Sequence, residues 1–308
     1  MNRFIYIVCG VIAFLVMFLL LRLSLDKSGS ADVFLGWMKN QENTPASEHL
    51  PKHVDKAEHQ SSPRDPAILR DLRRLSVSHD LARSDVTGMT SQQKQLTMHS
   101  VLDNTDTVCH RKLRMGKMGD GGWEICDDVD VRPRAPCVVY SFGIKNDFSF
   151  DDDTASTYGC HVYSFDPSMK DNSHNRSDLV HFYKIGLSGR TFTNAKRWNM
   201  YTFSDIRKLL GHEKTQIDVV KMDIEESEWS AVPDMVRAGE LKQFKQLLIE
   251  FHVAASSARL KLLQDIERQG YRSFYTHKNV YCQPHAIRGF PGLRTNCYEV
   301  HYVRRPHM

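Results

Sequence analysis

Four strand-like runs in this chain end in residues suited to holding a nucleotide-type cofactor. Val138–Ile144 closes on Gly143, and His161–Pro167 closes on Asp166 and Pro167. Ile217–Glu225 closes on Asp223 and Glu225, and Gln246–His252 on Glu250 and His252. Short β-rich apolar runs with Gly, Asp or Glu at their ends deliver polar groups to the carboxyl edge of a doubly wound sheet, where such folds bind nucleotides. A dinucleotide site requires GxGxxG after its first strand, and here Gly143-Ile-Lys-Asn-Asp-Phe-Ser lacks the second and third glycines. The order and chemistry of the four runs point instead to S-adenosylmethionine, and so to methyl transfer.

A methyl on a sulfonium is already activated, so such an enzyme mainly has to position its reactants. Gly143 is expected to let the cofactor approach the backbone, and Asp166 to accept hydrogen bonds from ribose hydroxyls. Ser141 and Pro167 belong to the same two strand ends. Asp147 or the Asp151-Asp-Asp153 run is expected to contribute from the first crossover loop, and Asp223 to face the methionine amino group or the acceptor hydroxyl. His252, Glu225 and Glu250 are the candidates to remove the acceptor's proton, with Glu226 beside them, since histidine is the natural base near neutral pH. Asp223, Glu225 and Glu250 are also oxygen donors of the kind that binds magnesium, but no metal is expected.

Seven strands are predicted to carry these residues: 138–142, 161–165, 179–185, 217–222, 246–251, 271–276 and 297–303. Helical spacing falls at 154–158, 202–210, 228–238 and 256–269, and before the sheet at 66–75 and 90–102, where Thr90 or Ser91 is placed to cap. The expected fold is α/β: a Rossmann-like three-layer sandwich, mostly parallel, with an antiparallel final strand. Gly119-Asp-Gly-Gly122 reads either as the tight turn of a hairpin leading into the sheet or as a ligand contact.

The 308 residues, 41% hydrophobic and 25% charged, are enough for one sizeable core with appendages. A net charge of +4, with both signs interspersed, argues against a nucleic-acid partner. Residues 1–3 form a short tail, and Phe4–Leu21 is an unbroken apolar run of about 18 residues, enough to cross a bilayer. An uncleaved anchor is preferred to a cleaved signal peptide ending near Ser28–Ala31, because the run exceeds an ordinary signal core. Residues 22–104 read as a polar stem or linker and 105–308 as the globular domain. Six cysteines outside the apolar run are compatible with three disulfides in an oxidising lumen, whose pairing the spacing does not select, or with free thiols in the cytosol. Asn175-Arg-Ser177 is a glycosylation sequon.

The chain resembles the FkbM-like methyltransferases and, more closely, the animal methyltransferase-like 24 type with its membrane-anchored relatives. The resemblance rests on Gly119-Asp-Gly-Gly-Trp123, Val139–Ile144, Phe165-Asp-Pro167, Lys221–Glu225 with Glu228-Trp229, and Ile249–His252, and covers roughly residues 105–305. It implies a class I methyltransferase fold, S-adenosylmethionine as cofactor, and Gly143, Asp166 and Asp223 as cofactor-site positions. It also implies an acceptor oxygen on a glycan, lipid or small molecule, and a type II membrane protein whose domain lies in the lumen of the endoplasmic reticulum or Golgi. Relatives commonly carry Gly where Glu226 stands, so the pocket is expected to be narrowed, the substrate changed or the enzyme weakened. Two other classes compete. One is a lumenal glycosyltransferase using Asp151-Asp-Asp153 to hold a metal and diphosphate, although that run reads better as a solvated helix start. The other is a non-catalytic anchored protein that keeps the fold.

Overall fold

Alternation along the central strands divides the chain into two apolar faces. Tyr140, Phe142, Phe165, Val220, Met222, Leu247 and Ile249 pack into one core cluster. Val139, Val162, Val219 and Leu248, set between them in sequence, pack into the other. Side chains one residue apart on a strand point to opposite faces, so both faces of this sheet must be covered. The computed structural model describes residues 81, 84–290 and 292–305. The predicted anchor at 4–21, the helix at 66–75 and most of the stem lie outside the described residues. Among the described residues no helix is long and apolar enough to cross a membrane.

Helix α1 (Ser91–Leu102) opens on a capping box in which Thr90 accepts from Gln93 N–H and the Gln93 side chain returns the bond. A hairpin follows, β1 (Lys112–Met115) and β2 (Trp123–Cys126), then β3 (Val138–Phe142), α2 (Ser149–Tyr158) and β4 (His161–Phe165). Next come β5 (His174–Asn175), β6 (Val180–Tyr183), and a three-stranded sheet of β7 (Gly186–Leu187), β8 (Phe192–Thr193) and β9 (Asn199–Tyr201). Helix α3 (Phe203–Leu209), β10 (Ile217–Met222), α4 (Glu228–Arg237), β11 (Phe244–His252) and α5 (Ser257–Arg268) complete the alternation. The chain ends with β12 (Tyr271–Lys278), a short pair β13 (His285–Ala286) and β14 (Leu293–Arg294), and β15 (Cys297–Arg304).

The main sheet runs β12-β15-β11-β10-β3-β4-β6-β5. β10 pairs parallel with β3 and β11, and β3–β4 and β4–β6 are parallel as well. β15 is inserted antiparallel between β11 and β12. This is the predicted fold, with the seven predicted strands in place and a two-residue eighth strand, β5, at the edge. The strand order reverses between β3 and β10, so their carboxyl ends form the crevice in which doubly wound sheets bind ligands.

The two outer layers differ. α3, α4 and α5 cover one face through Phe203, Ile206, Val232, Met235, Leu260 and Ile266. The other is covered by α2 and by the β1–β2 hairpin, whose Trp123 and Ile125 are buried. The Gly119–Gly122 turn therefore closes a separate two-stranded sheet and does not lead into the main one. Arg114 secures it, donating to the Lys117 and Gly119 carbonyls at 2.7 Å and pairing with Glu124 at 2.7 Å. Met98 and Leu102 of α1 lie in the first core cluster, so the packed body begins before residue 105, within the segment read as stem. Three disulfides join Cys109 to Cys126, Cys137 to Cys160, and Cys282 to Cys297.

Candidate active site

A cavity of about 490 Å³ opens at the carboxyl ends of β3, β4 and β10, a volume suited to a nucleoside-sized ligand. One wall carries Phe142, Gly143, Asp223, Ile224, Glu225 and Ser227; the floor is Asp166, Pro167 and Ser168. The far side is Gly186, Leu187 and Met200, closed by the β8–β9 turn with Asn194, Lys196 and Trp198. Five of the nine predicted site residues therefore meet here: Gly143, Asp166, Pro167, Asp223 and Glu225.

Each owes its place to the backbone beneath it. Gly143 N–H donates to Phe165 O at 2.8 Å and Asp223 N–H to Phe142 O at 3.1 Å, locking the three strand ends together. Gly143 has φ 73°, and a Cβ there would meet the Asp223 carbonyl oxygen at 1.6 Å. The glycine is therefore required by its neighbouring strand, whatever ligand approaches it. Asp166 is 4% exposed and accepts from Lys145 N at 2.8 Å, Ser168 N at 2.7 Å and Ser168 Oγ at 2.6 Å. A carboxylate has about four acceptor positions, which leaves one for a ligand hydroxyl.

Four predicted residues lie elsewhere. Ser141 is fully buried on the opposite face of β3, beside Asp151, because alternation sends it away from Tyr140 and Phe142. Asp147 is held by Lys117 at 2.9 Å and accepts from Ser149 N at 3.1 Å. Burial opposes its ionisation, but Lys117 and Ser149 hold it below the usual carboxylate range. It braces the hairpin turn and does not line the cavity. Glu250 and His252 stand behind the Asp223–Glu225 wall. Glu250 is 4% exposed and accepts from Asn279 at 3.0 Å; burial, then the Asp223 carboxylate, push it up to about 9.

His252 Nδ1 lies 3.2 Å from Glu228 Oε1, and Nε2 lies 3.3 Å from Glu225 Oε2. Burial pushes the imidazole down, but Glu228, Glu250 and Asp223 more than reverse this and raise it to about 9. It is therefore a cation near neutral pH, which corrects its reading as a neutral base. Glu225 and Glu226 both have left-handed backbone, at φ 51° and 71°. That conformation is native to glycine, the residue that the resemblance leads one to expect at position 226. Glu226 is exposed and does not line the cavity, so it does not narrow it.

The acidic run does lie at the start of α2, with Asp153 exposed and Asp152 half-buried, but Asp151 departs from the solvated reading and the three do not converge on one ligand. Asp151 is fully buried and accepts from Ser164 Oγ at 2.7 Å, and burial pushes it up to about 6. Asp152 pairs with Arg176 at 2.8 Å, and Asp153 accepts from Gly116 N at 2.8 Å. Three carboxylates with three separate partners cannot together hold a metal diphosphate.

The methyltransferase domain family matches this chain over residues 53–291. The chain belongs to that family. Among relatives, the probable methyltransferase-like protein 24 of Rattus norvegicus is 28% identical over 208 residues, covering 58% of this chain and 56% of that protein. The probable methyltransferase-like protein 24 of Homo sapiens is 26% identical over 181 residues, covering 51% and 49%. The chain spans about half the length of the curated relatives it matches. The cavity of this methyltransferase-family chain also contains residues that sequence reading missed. Lys145, Ser168, Leu187, Trp198 and Met200 sit on loops or two- to three-residue strands, which carry no periodic signal.

Proposed function

We propose that the chain is an S-adenosylmethionine-dependent methyltransferase acting on an oxygen of a glycan, lipid or small molecule. The observation that carries this reading is the convergence of Gly143, Asp166, Pro167 and Asp223 on one cavity at the strand-order reversal. The cofactor, when bound, supplies a methyl group on a sulfonium. Asp166 has an acceptor position for the ribose, with Pro167, Leu187 and Met200 as apolar surface for the base. Asp223 and Glu225 are the anionic oxygens on the cavity wall. They would orient the acceptor hydroxyl and take up its proton as that oxygen is methylated. His252, already protonated, holds Glu225 in place.

The same reading places the protein in the secretory pathway, in the Golgi or endoplasmic reticulum, anchored through Phe4–Leu21 with the domain in the lumen and no nucleic-acid partner. The three disulfides support an oxidising compartment.

Calorimetric titration of the detergent-solubilised full chain with S-adenosylmethionine tests the cofactor. Saturable binding is expected. Asp166→Asn should weaken it by about 1.5 to 3 kcal/mol, the range for a hydrogen bond to a charged group. Absence of binding by the folded chain, or equal affinity in the variant, would reject the assignment.

A further inference from the structure

At the cavity wall, Asp223 and Glu225, with His252 behind them, each present one ligand atom, and the three atoms lie within 4.8 Å of one another. Two carboxylates and an imidazole make a donor set of mixed hardness, suited to a divalent first-row cation. Proximity of acidic groups alone is common, but two further features set this cluster apart. His252 is oriented by Glu228, a fully buried residue whose Oε1 accepts from His252 N at 2.9 Å and lies 3.2 Å from Nδ1. With its Nδ1 proton directed at the Glu228 carboxylate, the ring turns Nε2 toward Glu225 and Asp223, and a cation bound there displaces the second proton that His252 carries in the metal-free protein; a buried carboxylate orients metal-binding histidines in this way. In addition, Glu228 Oε2 is buried with no hydrogen-bond partner among the described residues, and Asp223 Oδ1 has none beyond the neighbouring Glu250 carboxyl. Such atoms require a counter-charge or a donor.

A neighbouring grouping is not an equivalent candidate. Glu250, His252 and Cys297 also cluster, but the Cys297 sulfur is bonded to Cys282 and has no thiolate to offer. Glu250 faces Asn279. The set that opens on the cavity is the one with Asp223 and Glu225, both on its wall.

We propose that Asp223, Glu225 and His252 form a divalent cation site of the Mn²⁺ type, with Glu228 as the positioning residue for His252. Three protein ligands leave coordination positions open for an oxygen of the acceptor. A cation there orients an acceptor hydroxyl and lowers its pKa, so its proton passes to water and direct uptake by Glu225 is not needed. This role rests on the methyltransferase reading; cation binding itself does not.

The test is titration of the EDTA-stripped, detergent-solubilised full chain with Mn²⁺, followed by electron paramagnetic resonance of the free aquo ion. One saturable site per chain is expected. Glu225→Gln should weaken it about tenfold or more, a loss at least that of disturbing an outer-shell partner. Glu225 is exposed, so this variant should melt at the parent's temperature in EDTA. Asp223→Asn should lose the site as well, and its melting temperature shows whether it has folded. Absence of saturable binding below about 1 mM, or parent-like binding in Glu225→Gln, would overturn the proposal, whatever Asp223→Asn does. S-adenosylmethionine titrated into the same sample is read separately. Mn²⁺ binding without cofactor binding leaves the cation site standing and removes the methyltransferase reading. Cofactor binding without Mn²⁺ binding does the reverse.

Discussion

The carbonyl oxygen of Asp223 occupies the space that a side chain on Gly143 would need, 1.6 Å from an ideal Cβ. Two strand ends that line the same cavity are thus fitted to each other before any ligand arrives. Gly143→Ala must both enter left-handed backbone and displace β10. The first costs about 1 to 2 kcal/mol and the second about 1 to 3 kcal/mol. The variant should unfold at least about 2 kcal/mol more easily in urea, with loss of any ligand bound at the cavity. Parent-like stability would mean that the strand ends can part freely.

Glu226 presents the opposite case, a side chain where a glycine would relieve strain. Its φ of 71° costs about 1 to 2 kcal/mol for a residue with a Cβ, partly offset by the greater unfolded-state freedom of glycine. Glu226→Gly should therefore stabilise the fold by a net of about 1 kcal/mol, raising the melting temperature, and leave cavity binding unchanged. A lower melting temperature would show that the Glu226 side chain makes a stabilising contact outweighing its backbone strain.

These two positions show what was legible in the sequence. The strands were readable because each is a short apolar run ending in a polar or glycine residue, and β10 is buried at all six positions. The meeting of Gly143, Asp166, Pro167, Asp223 and Glu225 followed from that. Ser141 was misplaced although its face was available from alternation: Tyr140 and Phe142 flank it and share the opposite core. Asp151 read as part of a solvated helix start and Glu250 as a base facing the cleft, because burial is decided by how α2 docks on β4 and how β15 covers β11, neither of which is local. Disulfide pairing was unreadable for the same reason. Cys137 and Cys160 meet because β3 and β4 lie side by side from their first residues.

Compartment and pairing can be tested together. In a eukaryotic secretory host, non-reducing peptide mapping should recover Cys109 with Cys126, Cys137 with Cys160, and Cys282 with Cys297. Asn175 is exposed on β5 at the outer edge of the sheet, so its sequon should carry a glycan removed by Asn175→Gln. Cys137→Ser opens a link between residues 23 apart and should cost about 3 kcal/mol, chiefly through the unfolded state. Six reactive thiols and an unmodified Asn175 would place the domain in the cytosol.

Glu250 and His252 give the fold a pH dependence of definite sign. Burial and the Asp223 carboxylate lift Glu250 from its ordinary 4.5 to about 9. His252, pushed down by burial but up by Glu228, Glu250 and Asp223, rises from 6.5 to about 9. Burial also lifts Glu299, paired with Glu250 across β15 and β11, to about 8. In each case the folded protein holds a proton that the unfolded chain releases at lower pH. Stability falls with rising pH wherever the folded state binds more protons. The contribution is fully present below the unfolded values, near 4.5 for the carboxyls and 6.5 for the imidazole, and is lost as pH rises through 8 to 9. The melting temperature in EDTA should therefore decline between pH 6 and pH 9. Glu250→Gln keeps the size of the side chain and the Asn279 contact but removes one titrating proton, so its decline should be shallower. Calorimetric scans at half-unit pH steps read both slopes. Equal slopes in parent and variant would mean that Glu250 is ionised in the folded protein, and that the wall behind the cavity carries its full negative charge at neutral pH.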